Sequence, residues 1–154
     1  STLFPYTTLF RSQPLLLKAE GVEILSTNRG YRLAAPPRAC PRRLIKVRHD
    51  ASQVSEELNL IVDLGGTVED MVINHHSYGR LCASLNVSSR RDVRRFVEGL
   101  AGSRSSLLSG ITSGYHFHHV SAPDEGALDE IEAELGRRGF LAKRTAWELE
   151  STLA

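Results

Sequence analysis

Beyond residue 43, apolar positions recur with two periods, one typical of strands and one typical of helices. Residues 44–48 alternate apolar and basic side chains, which predicts a strand, and apolar residues at helical spacing follow from Val54 until Gly65 ends the helix. The same evidence predicts strands at 68–74 and 81–87, a helix capped by Ser88 or Ser89, a strand at 115–120 and a helix from Pro123 to Gly139. The order βαββαβα predicts an α+β open-faced sandwich, a mainly antiparallel sheet with helices on one face.

The pattern before residue 43 predicts a separate, smaller element. In residues 13–34, a run of leucines predicts the end of a helix, and Gly21 interrupts it. Two apolar segments then flank Thr27-Asn-Arg-Gly30. Asparagine and glycine tolerate positive φ, so these segments predict a β-hairpin. Residues 35–42 include three prolines and predict a semi-rigid linker, which marks a domain boundary.

Residues 1–12 fit neither unit. They show no helical or alternating period and lack the charged start of a signal peptide. The string resembles the translation of a common sequencing-adapter DNA. We therefore expect a non-native tail here, and a native protein that begins upstream.

Composition excludes several classes of protein. A chain of 154 residues is near the size of one domain, and its formal net charge of +1 provides no general attraction to nucleic acid or anionic lipid. No apolar run approaches the roughly 20 residues of a membrane-spanning helix, so we expect a cytoplasmic protein without a membrane partner. Cys40 and Cys82 lack Cys-x-x-Cys spacing and are expected to be reduced thiols.

The arginines of residues 90–95 fall opposite an apolar stripe and predict a solvated helix face.

Histidines are concentrated between residues 49 and 119. In a strand, His116 and His118 point to the same face, while His119 points to the other. His49 follows a predicted strand and Glu57 lies in the next helix, where its carboxylate can reach back over the strand end. The four residues His49, Glu57, His116 and His118 together offer three nitrogen ligands and one anionic oxygen. This set suits Zn²⁺, Ni²⁺, Fe²⁺ or Co²⁺ better than Mg²⁺ or Ca²⁺.

Several longer motifs resemble one known family. They are Arg48-His-Asp50 with Glu57, residues 72–79, residues 85–89 and residues 113–125. From residue 43 to about 150 they resemble the three-histidine (3H) domain of nicotinate-responsive transcriptional repressors. Residues 21–33 separately resemble the wing of the winged helix-turn-helix that precedes this domain, so 13–34 is interpreted as a truncated wing remnant.

The resemblance implies a fold, a metal and an effector for residues 43–150. The fold is like that of the phosphocarrier HPr, which agrees with the predicted order of elements. A divalent transition metal (Ni, Zn or Fe) is held by residues matching His49, Glu57, His116 and His118, and nicotinic acid is the co-repressor. A homodimer is also implied, as palindromic operators demand.

The chemistry of the implied effector suits the implied metal. An open coordination position on the ion attracts a small anion or a pyridine nitrogen, and nicotinate offers both. His75 and Tyr78, near the predicted turn, are candidates to hydrogen-bond the carboxylate or stack on the ring. The family often has a proline after the middle histidine, and this chain has His76 there, a departure expected at the rim of the site.

Operator DNA is the implied partner of the full-length repressor. Arg29, in the predicted wing, is a candidate contact to DNA. Without a recognition helix the chain lacks base readout, so we expect it not to bind an operator with useful specificity. A gel-shift titration at physiological salt checks this, and selective retardation of one operator would contradict it.

Three other kinds of metal protein remain as alternatives. A cupin-like enzyme is suggested by Gly110 six residues before His116, but Ala122 and Pro123 stand where its glutamate ligand is required. A metallohydrolase would need a general base beside the metal; Asp50 or Glu56 is available, but no recognised motif places either residue there. A purely structural metal site would have every coordination position closed by protein. The pattern favours a regulatory protein over an enzyme.

Overall fold

The computed structural model describes residues 24–27, 30–33, 39–102 and 112–150. The chain forms two compact units, residues 1–39 and 40–154. In the first unit, β1 (Ile24–Thr27) pairs antiparallel with β2 (Gly30–Leu33). The predicted hairpin is therefore present. The predicted helix tail, the tail at 1–12 and Arg29 lie outside the described residues.

The second unit contains a four-stranded antiparallel sheet. Its elements are β3 (Arg42–Arg48), α1 (Val54–Asp63), β4 (Thr67–His75), β5 (Gly79–Val87), α2 (Arg90–Gly102), β6 (Tyr115–Ser121), α3 (Glu125–Arg137) and α4 (Ala146–Glu150). The strands lie in the order β3-β6-β4-β5. This confirms the α+β open-faced sandwich with βαββαβα order. None of the described helices is long and apolar enough to cross a bilayer.

The hydrophobic core lies between one face of the sheet and helices α1, α2 and α3. Its largest members are the following buried side chains: Ile45, Val47, Leu58, Ile61, Leu128, Ile131, Leu135 and Phe140. Ile45 pairs with His118 and Val47 pairs with His116 across the β3–β6 ladder. Because directly paired residues share a face, both histidines point under the helices rather than into solvent.

Side-chain caps begin two of the helices; the serine cap of α2 was predicted from the sequence, and the Asp124 cap of α3 was not. The Ser89 hydroxyl accepts a hydrogen bond from the N–H of Asp92 at 3.2 Å, and Asp124 caps α3 by accepting from Ala127 at 2.8 Å. Pro123 therefore precedes the cap of α3 instead of lying in its first turn, a small correction to the sequence-based expectation.

The C-terminal segment was not predicted from the sequence pattern. The N–H of Ala142 donates to the carbonyl of Lys46 at 2.9 Å, which extends the sheet beside β3. Beyond it, α4 places Glu148 2.7 Å from the Lys46 ammonium, and both side chains are largely buried. Lys46 pairs with Phe117 on the face opposite the core. The second face of the sheet is thus partly covered by the chain itself.

Candidate metal centre

Four side chains predicted as metal ligands come together beneath α1. His49 follows the end of β3, and Asp50 then caps a short 3₁₀ turn that leads into α1 and brings Glu57 over the sheet. His116 and His118 reach the same place from β6. All four residues are buried, with 1–6% of their surface exposed. Residues distant in sequence are therefore neighbours in the fold.

The polar atoms of these residues lie close to the Glu57 carboxylate. His49 Nε2 lies 2.7 Å from Glu57 Oε2, and His118 Nε2 lies 3.3 Å from Glu57 Oε1. His116 Nε2 lies 3.1 Å from His118 Nε2 and 3.9 Å from Glu57 Oε2. The ligating atoms of His49, Glu57 and His116 all lie within 4.8 Å of one another.

The other nitrogen of each imidazole ring faces a backbone carbonyl. His49 Nδ1 lies 2.8 Å from the carbonyl oxygen of Asp50, and His116 Nδ1 lies 2.9 Å from that of Gly114. His118 Nδ1 lies 2.6 Å from the carbonyl oxygen of Asp70. A carbonyl oxygen accepts hydrogen bonds and cannot donate, so each Nδ1 carries a proton. Each Nε2 is thereby directed inward, as is usual for histidines that bind a metal.

When the three imidazoles are neutral, as metal ligands must be, this arrangement leaves more acceptors than donors in one buried place. The 3.1 Å contact between Nε2 of His116 and Nε2 of His118 accommodates at most one proton. Glu57 Oε1 is buried and, although His118 Nε2 lies 3.3 Å away, it has no partner in hydrogen-bonding geometry among the described residues. Unsatisfied buried acceptors are costly, and a cation satisfies all of them together. The residues present therefore fit a divalent metal ion.

The electrostatics of the cluster agree with a cation site. Burial opposes ionisation of Glu57, but the charge of His118 and hydrogen bonds from the imidazoles hold the pKa of this carboxyl well below its ordinary value. Burial also disfavours protonated imidazoles. The attraction of Glu57 outweighs burial at His49 and His118, whose pKa values are raised, while burial prevails at His116, whose pKa is lowered. An ionised carboxylate thus lies beside a position that favours positive charge.

Gly114 permits the close approach of two segments at the site, and sequence reasoning did not select it. Its φ is +86°, and a Cβ at this position would lie 2.4 Å from the backbone oxygen of His49. The Gly114 carbonyl also binds the ring of His116. The glycine within the Ser-Gly-Tyr-His sequence was the available signal, since glycine is common where φ is positive.

The predicted effector contacts form a second aromatic group at the β4–β5 turn. His75 and Tyr78 have ring centroids 4.7 Å apart, and His75 stacks on His76 at 4.7 Å. The N–H groups of Ser77 and Tyr78 both donate to His75 Nδ1 at 3.2 Å. Tyr78 is 76% exposed. His119 lies apart from both groups, on the opposite sheet face, where its ring Nδ1 is 2.8 Å from the Asp70 carboxylate.

A comparison with protein families decides where this fold and site belong. The model of the 3H domain family matches residues 42–144. The chain is a member of the 3H domain family. The resemblance noted from the histidine motifs is therefore confirmed.

Curated relatives of this 3H domain protein extend the comparison. It is 38% identical over 131 residues to "Transcription repressor NadR" of Bacillus subtilis (strain 168), covering 83% of this chain and 73% of that protein. It is 34% identical over 125 residues to "Probable transcription repressor NiaR" of Thermotoga maritima, covering 81% and 71%. An uncharacterized protein of Methanothermus fervidus is 27% identical over 143 residues, which cover 81% of this chain and 22% of that protein.

The named relatives also bear on whether the chain is a regulatory protein or an enzyme. The two with a named function are transcription repressors, not enzymes. This confirms the expectation that the 3H domain protein is regulatory. The cupin-like alternative is accordingly set aside.

Proposed function

We propose that this chain is the effector-sensing domain of a bacterial transcriptional repressor of niacin and NAD metabolism. In this proposal, His49, Glu57, His116 and His118 bind a divalent transition metal, and nicotinic acid is the co-repressor. The observation that carries the proposal is the convergence of three inward Nε2 atoms on the buried Glu57 carboxylate. The repressor relatives supply the biological context.

The donor set favours a transition metal over an alkaline-earth ion. Imidazole nitrogen suits Zn²⁺, Ni²⁺ and Fe²⁺, whereas Mg²⁺ and Ca²⁺ prefer oxygen ligands. The carbonyls that bind each Nδ1 fix the ring orientations before an ion arrives. A bound divalent ion would attract an anion or a pyridine nitrogen at any coordination position that protein leaves open.

The position of His75 supports a role in binding the effector. Val72 pairs with Phe117, so two residues that face away from the helices lie side by side on β4 and β6. Alternation then directs His75 to the same sheet face as His116. Because His75 Nδ1 accepts two backbone N–H groups, a neutral His75 carries its proton on Nε2 and can donate it to a carboxylate. The exposed ring of Tyr78 beside it offers a surface for stacking.

The remaining parts of the proposal concern the whole repressor. Residues 13–34 belong to a winged-helix unit with Arg29 as a DNA contact, and residues 35–41 link it to the regulatory domain, which begins with β3 at Arg42. The full-length protein binds operator DNA as a homodimer. The hairpin of β1 and β2 supports the interpretation as a wing.

Isothermal titration calorimetry tests the metal and the effector in sequence. We expect one Ni²⁺ or Zn²⁺ ion per chain, and then binding of nicotinate only to the metal-loaded protein. Nicotinamide should bind at least about tenfold more weakly, because it lacks the charge that a metal ion and His75 attract. His75→Ala should weaken nicotinate binding while leaving metal binding intact.

Each outcome of this titration separates two hypotheses. Metal binding without any heat from either pyridine would contradict the effector proposal and identify a structural metal site. Absence of metal binding would contradict the metal centre itself.

A further inference from the structure

Strand β4 contains one extra residue where it pairs with β6. Val68 pairs with Val120 and Val72 pairs with Phe117, so four steps along β4 match three steps along β6. A β-bulge of this kind removes backbone groups from the regular ladder and re-aims a side chain. Asp70 lies in the middle of the irregular stretch, and the pairing with β5 is also irregular between Val68 and Asp70.

Asp70 contacts two consecutive histidines through two different groups. Its backbone carbonyl accepts a hydrogen bond from Nδ1 of His118 at 2.6 Å. Its carboxylate accepts one from the backbone N–H of His119 at 3.0 Å and lies 2.8 Å from the His119 ring Nδ1. The carboxylate thus replaces the ladder acceptor that the bulge removes, which leaves the carbonyl available to the imidazole.

The surroundings of Asp70 strengthen these contacts. Its side chain is 13% exposed, that of His119 is 9% exposed, and few water molecules can compete for the hydrogen bonds. Arg42 at 3.9 Å and the Cys82 thiol at 3.6 Å complete the polar neighbours of the carboxylate. The pKa of Asp70 is lowered because its hydrogen bonds with His119 outweigh the opposing effect of burial.

We propose that Asp70 is a positioning residue for the candidate metal centre. Its carboxylate anchors the bulge through the N–H of His119, and the anchored bulge aims the Asp70 carbonyl at His118. The carbonyl in turn keeps the proton of His118 on Nδ1 and directs Nε2 towards Glu57. The inference rests on the proposed function, because this orientation affects metal affinity only if the cluster binds a metal.

Zn²⁺ affinity in three variants tests the positioning role. Asp70→Ala removes the anchor and should weaken Zn²⁺ binding by about tenfold to hundredfold, the range for residues that orient metal ligands. Asp70→Asn keeps an oxygen acceptor for the His119 N–H and should restore most of this affinity. Glu69→Ala is the matched control, since it removes a neighbouring charge that pairs with Arg42 but not with a histidine.

Nitrogen NMR of the metal-free protein supplies a readout that a general structural defect would not reproduce. In the wild type, the Nδ1 proton of His118 should exchange slowly with water, and in folded Asp70→Ala it should exchange faster. A rapidly exchanging Nδ1 proton in the wild type would overturn the inference even if Asp70→Ala does not fold, as would equal Zn²⁺ affinity in Asp70→Ala and Glu69→Ala. If the wild type binds no Zn²⁺, the proposed function fails, while NMR still tests Asp70.

Discussion

Glu57→Gln is expected to weaken binding of Zn²⁺ or Ni²⁺ by more than about a hundredfold, beyond the effect of changing residues that merely orient ligands. Glutamine keeps the shape of the side chain but removes the anionic ligand, and its amide group is a poor ligand for these ions. The metal-free protein should remain folded, because the amide N–H can donate to an inward Nε2 of His49 or His118. A competition titration against a chromophoric chelator measures the affinity.

Glu56→Gln is the matched control for this experiment. Glu56 precedes Glu57 on α1 but is exposed and pairs with Arg138 at 3.1 Å. Surface ion pairs contribute little to stability, so this variant should bind metal as the wild type does. Equal metal affinity in the two glutamine variants would exclude Glu57 as a ligand.

Gly114→Ala is expected to lower the free energy of unfolding by at least about 2 kcal/mol, through strain at a special backbone conformation and a steric clash. The added Cβ would meet the His49 backbone oxygen at 2.4 Å, and backbone cannot rotate away as a side chain can. The clash separates His49 from His116, so metal affinity should fall as well. Urea denaturation of the metal-free protein measures the first effect and chelator competition the second.

Gly79→Ala isolates the contribution of the backbone conformation. Gly79 has a similar φ of +73°, but a Cβ there would meet no atom within 4 Å. This control should lose about 1 kcal/mol, the usual penalty for a side chain at positive φ, and should bind metal normally. If Gly114→Ala destabilises the protein no more than Gly79→Ala, the close approach to His49 is not a constraint on the fold.

Strand alternation was enough to predict that His116 and His118 share a face, because it is a local property of the backbone. Helical spacing likewise located α1 and α3. Glu57 and His49 were harder to select, since no local period links a helix residue to the end of the preceding strand. Their positions at the strand end and in the next helix made them candidates, the resemblance to the 3H domain strengthened the selection, and the fold brings both residues to the cluster.

The bulge at Asp70 shows where local pattern fails. Glu69 and Asp70 interrupt the alternation of β4, which was a trace of the irregularity, but alternation cannot say which partner strand absorbs the extra residue. The contact of α4 with Lys46 could not be predicted from local pattern either, because it joins residues 102 positions apart.

The order of elements, the βαββαβα architecture and the identity of the clustered histidines follow from the amino-acid sequence, since all depend on periodicity within short segments and on recognisable motifs. Tertiary structure alone decided which nitrogen of the His118 ring faces the centre. The carbonyls of Asp50 and Gly114 lie one and two residues from the rings of His49 and His116, but the carbonyl that binds His118 belongs to Asp70, 48 positions away, and meets the ring only after the strands have paired.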